Sequence, residues 1–116
     1  QYAGAFPTWL APVQVKILPI SDKFMDYAEK IKEQLEALNI KVELDSRAEK
    51  IGYKIREAQM QKVPYMFVVG EKEEESSTVS VRERQKGDIG SMSIEEISNI
   101  ILNKISSREN DSPQLI

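Results

Sequence analysis

Apolar residues recur along this chain with two different periods, and these periods predict strands that alternate with helices. Residues 13–20 (VQVKILPI) alternate up to Ile17 and then become apolar, as in a strand that enters a covered sheet. Residues 40–44 form a second short strand, and residues 65–69 (YMFVV) are apolar throughout, which is typical of a central strand. Residues 78–84 (TVSVRER) alternate strictly, which predicts a half-exposed strand that pairs antiparallel with its predecessor.

Three other stretches have the period of amphipathic helices. The first covers residues 21–38 and carries apolar side chains on one face only. The second covers residues 50–62 and stops before Pro64, because proline disfavours a helical conformation in the residue before it. The third begins at a capping box formed by Ser93 and Glu96. Helices therefore follow the first, second and last of the predicted strands.

The connections complete the predicted architecture. Residues 71–77 (EKEEESS) are interpreted as a charged hairpin turn and residues 85–92 (QKGDIGSM) as a glycine-bearing loop. The order is then β-α-β-α-β-β-α, which predicts an α/β fold: a small mixed β-sheet with helices on both faces. Residues 1–12 are interpreted as an irregular lead-in or a linker from a preceding domain, residues 13–106 as the folded domain, and residues 107–116 as a flexible polar tail.

The composition is that of a globular domain and disfavours catalysis by this chain alone. Of 116 residues, 41% are hydrophobic and 30% are charged. Cysteine and histidine are both absent, which removes disulfides, thiolate metal sites and the commonest general base near neutral pH. No apolar run approaches the roughly 20 residues of a membrane-spanning helix. We therefore expect a cytoplasmic domain with no membrane partner, and a small-ligand enzyme is disfavoured.

Charge is distributed unevenly, and this suggests a nucleic-acid partner. The net charge is −3, so binding to nucleic acid requires a local basic patch. One basic group lies beside the second helix and the other lies on and just after the last strand; they are Arg47, Lys50, Lys54 and Arg56, and Arg82, Arg84 and Lys86. If both groups flank one sheet edge, they form a groove that positions phosphates and presents bases for reading. An ordinary solvated surface is the alternative.

The acidic segment EKEEE has two interpretations. A charged hairpin tip keeps a sheet edge soluble. A carboxylate in this segment would alternatively accept hydrogen bonds from adjacent N–H donors of an unpaired guanine. Chemistry alone does not choose between these interpretations, or among Glu71, Glu73, Glu74 and Glu75.

Four segments resemble, in this order, the C-terminal anticodon-binding domain of threonyl-tRNA synthetases. They are FPTWLAPVQV (6–15), DSRAEKIGYKIREAQMQKVPYMFVVGEKE (45–73), VSVRER (79–84) and GDIGSMS (87–93). The resemblance implies the class IIa anticodon-binding fold, which the prolyl, histidyl and glycyl enzymes share. It also implies that residues 1–12 join the domain to a class II catalytic core, which would use ATP and zinc, whereas no cofactor is expected in this domain. The full-length enzyme would be a homodimer.

The same resemblance implies a partner and site residues. The domain would read the second and third anticodon bases of threonine tRNA, guanine and uracil, so that the catalytic core attaches threonine. Glu73 and Arg82 match the base-reading glutamate and arginine of the family. Ala48 stands where the family has a base-contacting asparagine, and alanine cannot hydrogen-bond through its side chain. The cations expected to hold the RNA backbone are Arg47, Lys50, Lys54 and Arg84. The competing hypothesis is an accessory or interaction domain that does not read RNA.

Overall fold

The computed structural model describes residues 6–111, which fold around a five-stranded mixed sheet. The strands lie in the order β2-β1-β3-β4-β5. They are β1 (Val15–Pro19), β2 (Val42–Leu44), β3 (Tyr65–Val69), β4 (Thr78–Glu83) and β5 (Gly87–Ser93). Strand β1 pairs parallel with β2 and β3, whereas β4 pairs antiparallel with β3 and β5. The predicted small mixed sheet is confirmed.

Helices cover both faces of the sheet, as predicted. Helices α1 (Met25–Ala37) and α4 (Ile94–Ser107) pack on one face, where they bury Val15 and Ile17 of β1. Helix α2 (Ile51–Met60) packs on the other face, against Leu18 of the same strand. Successive side chains of a strand point to opposite faces, so strands β1 and β3, which are covered on both faces, contribute to both cores.

The acidic segment forms a short helix, α3 (Glu71–Ser76), and the hairpin-turn interpretation is wrong. The helix begins after Gly70, whose N–H donates to the Glu73 carboxylate Oε1 at 2.8 Å. Carboxylates in the first turn also suit the positive end of the helix dipole. The helix ends at Ser77, which adopts a left-handed conformation with φ 57°. Helix α3 buries none of its residues, so it is stabilised by these local interactions and not by an apolar face.

Strand β5 was predicted as a loop, and this prediction is also wrong. It is an edge strand whose side chains are exposed except for the half-buried Met92, so it shows no apolar alternation. A β-bulge at Val81/Arg82 leaves Ile89 without a partner and gives Gly90 a φ of 94°. The observed order is therefore β-α-β-α-β-α-β-β-α.

The two ends of the described chain are joined by a buried cluster, the terminal clasp, formed by Thr8, Arg84, Lys104 and Asp111. The Asp111 carboxylate accepts hydrogen bonds from the Thr8 N–H at 2.7 Å and the Thr8 hydroxyl at 2.6 Å. Lys104 Nζ lies 3.3 Å from the same carboxylate, and Arg84 donates to the Asp111 carbonyl at 3.2 Å. Asp111 falls within residues 107–116, which are predicted to form a flexible tail, and its side chain is buried in this cluster. Residues 1–5 and 112–116 lie outside the described residues.

Candidate nucleic-acid interface

The pair of strands β4 and β5 presents a polar face beside helix α2. Along β4, Val79 and Val81 are buried toward α1 and α4, whereas Ser80 and Arg82 are half-buried on the opposite face. Ser80 lies directly across from Ser91 of β5, and directly opposed residues of antiparallel strands share a face. This face therefore carries hydroxyl and charged groups that no apolar core covers.

An open groove of about 640 Å³ lies between α3 and this polar face; we refer to it as the β4–β5 groove. Its lining combines three carboxylates, hydroxyl groups and a single cation. The residues that matter for its chemistry are Lys72, Glu73, Glu75, Ser80, Asp88 and Ser91. Carboxylates only accept hydrogen bonds, so the groove favours a ligand that presents N–H or O–H donors.

Glu73 is held in position at the edge of this groove. Its Oε1 accepts the hydrogen bond from Gly70, and among residues 6–111 its Oε2 has neither a hydrogen bond nor an ion pair. The side chain is half-buried, which strengthens any hydrogen bond that it makes to a ligand. Glu75 also lines the groove, whereas Glu71 and Glu74 do not contribute to its walls. Glu73 is thus an oriented acceptor with one oxygen available.

The neighbouring α1 helix fixes the start of β4 beside Glu73. The Tyr27 hydroxyl donates to the Thr78 carbonyl at 2.6 Å. Burial raises the pKa of this hydroxyl, and the nearby charges of Glu73 and Glu74 raise it further. Tyr27 therefore remains neutral and keeps donating, which holds the first residue of β4 in place.

Arg82 lies on the same polar face as the groove. Its partner across the strands is Asp88, which lines the groove, yet no ion pair joins the two side chains within 4.0 Å. Within the described part of the chain, the Arg82 guanidinium has no carboxylate partner. Arg82 itself does not line the groove, but it lies two residues along β4 from Ser80, on the same strand face.

Two of the cations expected to hold the RNA backbone are buried instead. Lys54 is only 3% exposed, and its Nζ donates to the carbonyls of Pro19 and Asp45, both at 3.2 Å. The Arg84 side chain is 6% exposed and belongs to the terminal clasp; burial lowers the pKa of its guanidinium. Both cations hold backbone carbonyls of the domain, and their burial argues against the predicted contact with phosphates.

The signal for the burial of Lys54 was present in the sequence. Lys54 lies three positions after Ile51 and four before Ala58, which places it on the inward face of a helix. A lysine on such a face can satisfy its ammonium group by reaching carbonyls at strand ends. Because lysine is charged, it was assigned to the surface, although its spacing from Ile51 and Ala58 indicates the inward face.

The other two cations lie near the start of α2. Arg47 donates to both oxygens of Asp45, at 2.9 and 2.8 Å, and also to Glu57, and its guanidinium lies 5.7 Å from the Tyr53 ring centre. These hydrogen bonds lower the pKa of the Asp45 and Glu57 carboxyls. Lys50 is exposed, and no ion pair to another described residue neutralises it. Lys50 thus has no carboxylate partner among residues 6–111, whereas the charge of Arg47 is largely compensated by two carboxylates.

Comparisons with known proteins show what this chain is similar to. A family model described as "Anticodon binding domain" matches residues 14–104. The chain is 63% identical over 108 residues to a threonine–tRNA ligase of Clostridioides difficile (strain 630), an alignment that covers 93% of this chain and 17% of that protein. It is 58% identical over 110 residues to the threonine–tRNA ligase of Clostridium botulinum (strain Hall), with coverage of 95% and 17%. The chain thus spans about a sixth of the length of these relatives.

A solved structure supports the same relationship. The crystal structure of the RNA binding domain of threonyl-tRNA synthetase from Cryptosporidium parvum Iowa II superposes with a TM-score of 0.81 at 30% sequence identity. The match covers 87% of this chain and 26% of that chain. The order and pairing of the elements described above are therefore those of a known fold.

Proposed function

Because the chain belongs to the anticodon-binding domain family, we propose that it reads the anticodon loop of threonine tRNA as a module of a threonine–tRNA ligase. The relatives at 63% and 58% identity support this assignment. The observation that carries it is the β4–β5 groove, which has the oriented carboxylate of Glu73 on its α3 side. Arg82, whose guanidinium has no carboxylate partner among residues 6–111, lies on the strand face that adjoins the groove.

These two groups suit an unpaired guanine. Guanine presents adjacent N–H donors on its Watson–Crick edge, and the free oxygen of Glu73 accepts from them. Its O6 and N7 atoms are acceptors that suit a bidentate arginine, which is the role proposed for Arg82. Adenine has an amino donor in place of O6, so Arg82 would face a donor instead of an acceptor. Glu73 and Arg82 together therefore favour guanine, because they match both the positions and the donor or acceptor character of its polar atoms.

The third anticodon base has a different environment. Ala48 is exposed in the loop before α2 and offers only a methyl group. Reading of a uracil at this point would fall to backbone groups or to Glu49 and Lys50, which are both exposed. We propose that Lys50 and, with its charge partly compensated, Arg47 hold the RNA backbone nearby. Phosphate contacts of this kind position the strand without selecting its sequence.

The remaining chemistry belongs to the longer protein. Among residues 6–111, no three carboxylate, thiol or imidazole side chains come together as ligands of a metal ion. Nor does any helix in that range have the length and apolar character needed to cross a membrane. We propose that a catalytic core of the same protein binds ATP and zinc and attaches threonine, and that the protein acts as a cytoplasmic homodimer.

A titration of the 116-residue chain with labelled anticodon stem-loops tests the proposal. One RNA carries the threonine anticodon and the other has its second and third bases exchanged. We expect the first to bind more tightly, and Arg82→Ala to weaken its binding by about 1–3 kcal/mol. Equal binding of wild type and the Arg82 variant would contradict the assignment. Absence of any preference at every salt concentration would favour an accessory domain that does not read RNA.

A further inference from the structure

Asp88 lies at the β4–β5 groove, where one of its carboxylate oxygens accepts a hydrogen bond from the protein and the other is free to accept one from a ligand. Its Oδ1 accepts a hydrogen bond from the Gly90 N–H at 2.9 Å, within the β-bulge of strand β5. Its Oδ2 has no hydrogen-bond or ion-pair partner among residues 6–111. Glu73 shows the same arrangement with Gly70 on the α3 side of the groove. Two carboxylates, each fixed by a glycine N–H, thus border the groove from α3 and from β5.

The charge of the groove determines which part of an RNA strand enters it. Glu73, Glu75 and Asp88 outnumber the single cation Lys72 in the lining, so a phosphate would be repelled. Ser80 and Ser91, paired across β4 and β5, contribute neutral hydroxyls. A base edge rich in N–H donors suits this lining, whereas the backbone is expected to stay outside.

We propose that Asp88 is a second base-reading carboxylate, whose free oxygen accepts a hydrogen bond from the exocyclic amine of the guanine that Glu73 binds. This inference rests on the proposed function. The amine on C2 of guanine carries two hydrogens. One points in the same direction as the N1–H and suits Glu73, and the other points away from it, toward a second acceptor. Adenine has no amine on C2, so Asp88 would add to the selection against it.

A purely structural role for Asp88 is separable from base reading by a conservative substitution. Asp88→Asn keeps an oxygen that accepts from Gly90, so the bulge is retained. The second oxygen becomes an amide donor, which opposes a donor on the base. Arg82 faces Asp88 across the strands without an ion pair, so the substitution breaks no salt bridge.

Stem-loops with guanine or inosine at the second anticodon position provide the test, because inosine lacks only the amine on C2. We expect wild type to bind the guanine RNA roughly tenfold more tightly than the inosine RNA. Asp88→Asn should weaken binding of the guanine RNA by roughly tenfold and lower the guanine-to-inosine ratio at least about threefold. Asp26→Asn on α1, an exposed site on the opposite side of the sheet, removes the same charge and should behave like wild type.

The outcomes separate this inference from the proposed function. If wild type prefers the threonine anticodon but Asp88→Asn keeps the wild-type guanine-to-inosine ratio, Asp88 does not read the base and only this inference fails. If wild type has no preference for its anticodon, the proposed function fails. A third stem-loop carries 2′-deoxyguanosine at the same position. If Asp88→Asn lowers the preference for guanosine over 2′-deoxyguanosine but keeps the wild-type guanine-to-inosine ratio, Asp88 contacts the ribose, and the inference is overturned. Asp88→Ser, whose hydroxyl also accepts from Gly90, replaces the asparagine variant if the latter does not fold.

Discussion

The terminal clasp makes a sharp prediction about stability: Asp111→Ala should destabilise the domain far more than a surface substitution near a chain end. The carboxylate accepts from the Thr8 N–H and hydroxyl, and Thr8 is completely buried. A buried donor left without an acceptor costs about 1–3 kcal/mol. Two such donors set an upper bound of about 6 kcal/mol, and entry of water near the ends reduces it. We expect a loss of about 2–4 kcal/mol, a large part of the roughly 5–15 kcal/mol that stabilises a domain.

Urea unfolding measures this loss with two probes. Far-UV circular dichroism follows the whole domain, and the fluorescence of Trp9, the single tryptophan, follows the clasp, because Trp9 adjoins Thr8. Glu109→Ala is the matched control, since Glu109 is exposed and makes no side-chain hydrogen bond to a described residue. If both variants unfold at the same urea concentration by both probes, the clasp does not stabilise the fold. If Trp9 changes at lower urea than the dichroism, the loss is confined to the ends.

The same clasp fixes the sign of a pH dependence. Burial alone would raise the pKa of the Asp111 carboxyl, but hydrogen bonds from Thr8 and the charge of Lys104 outweigh it, and the pKa lies below its ordinary value. A carboxyl with a lowered pKa in the folded state contributes stability above its unfolded pKa, about 3.9, and loses it as the pH falls. The difference in unfolding free energy between wild type and Asp111→Ala should therefore be constant near pH 7 and shrink below about pH 4.

Further predictions concern the cations of α2 and two glycines. Lys54→Met should lower the unfolding free energy by about 1–2 kcal/mol, because two carbonyls lose their donor, and should leave the RNA affinity of the folded domain unchanged. Lys50→Ala should do the reverse: unchanged stability, weaker binding of all stem-loops alike, and a salt slope reduced by about one. Gly90→Ala should destabilise the domain by about 1–2 kcal/mol, because the φ of Gly90 is 94°. Gly52→Ala should instead stabilise it by about 0.5–1 kcal/mol, because Gly52 lies in α2 and no atom lies within 4 Å of an added Cβ. Both glycine effects are measured by urea unfolding, and equal signs would contradict the reasoning.

The periodicity of apolar residues was sufficient to predict the central strands and the long helices. Strand β3 is continuously apolar, and β1 is apolar except for the buried Lys16, because both faces of each strand are covered. Helices α1, α2 and α4 each have one apolar face. These signals arise from burial, so they appear wherever burial is extensive. Four of the five strands and the three long helices were predicted for this reason.

The walls of the groove could not be predicted in this way. Helix α3 depends on the hydrogen bond between Gly70 and Glu73 and buries no residue, and β5 is an exposed edge strand. Neither has an apolar pattern to detect. Asp88 and Ser91 lie on β5, and their positions depend on the pairing of β5 with β4 and on the bulge. Glu73 and Arg82 were identified by resemblance, whereas the register that brings them to one face is a property of the folded chain.

The terminal clasp also determines how the domain responds to mechanical force. Thr8 and Asp111 are 103 positions apart in the chain, yet their side chains are in direct hydrogen-bonding contact. Tension applied to the chain outside these two residues is therefore shared between their hydrogen bonds and the domain that lies between them. While the clasp is closed, the sheet, including the β4–β5 groove, bears only part of the load. We therefore expect a force transmitted along the chain to deform the surface proposed to hold the anticodon less than it would without the clasp.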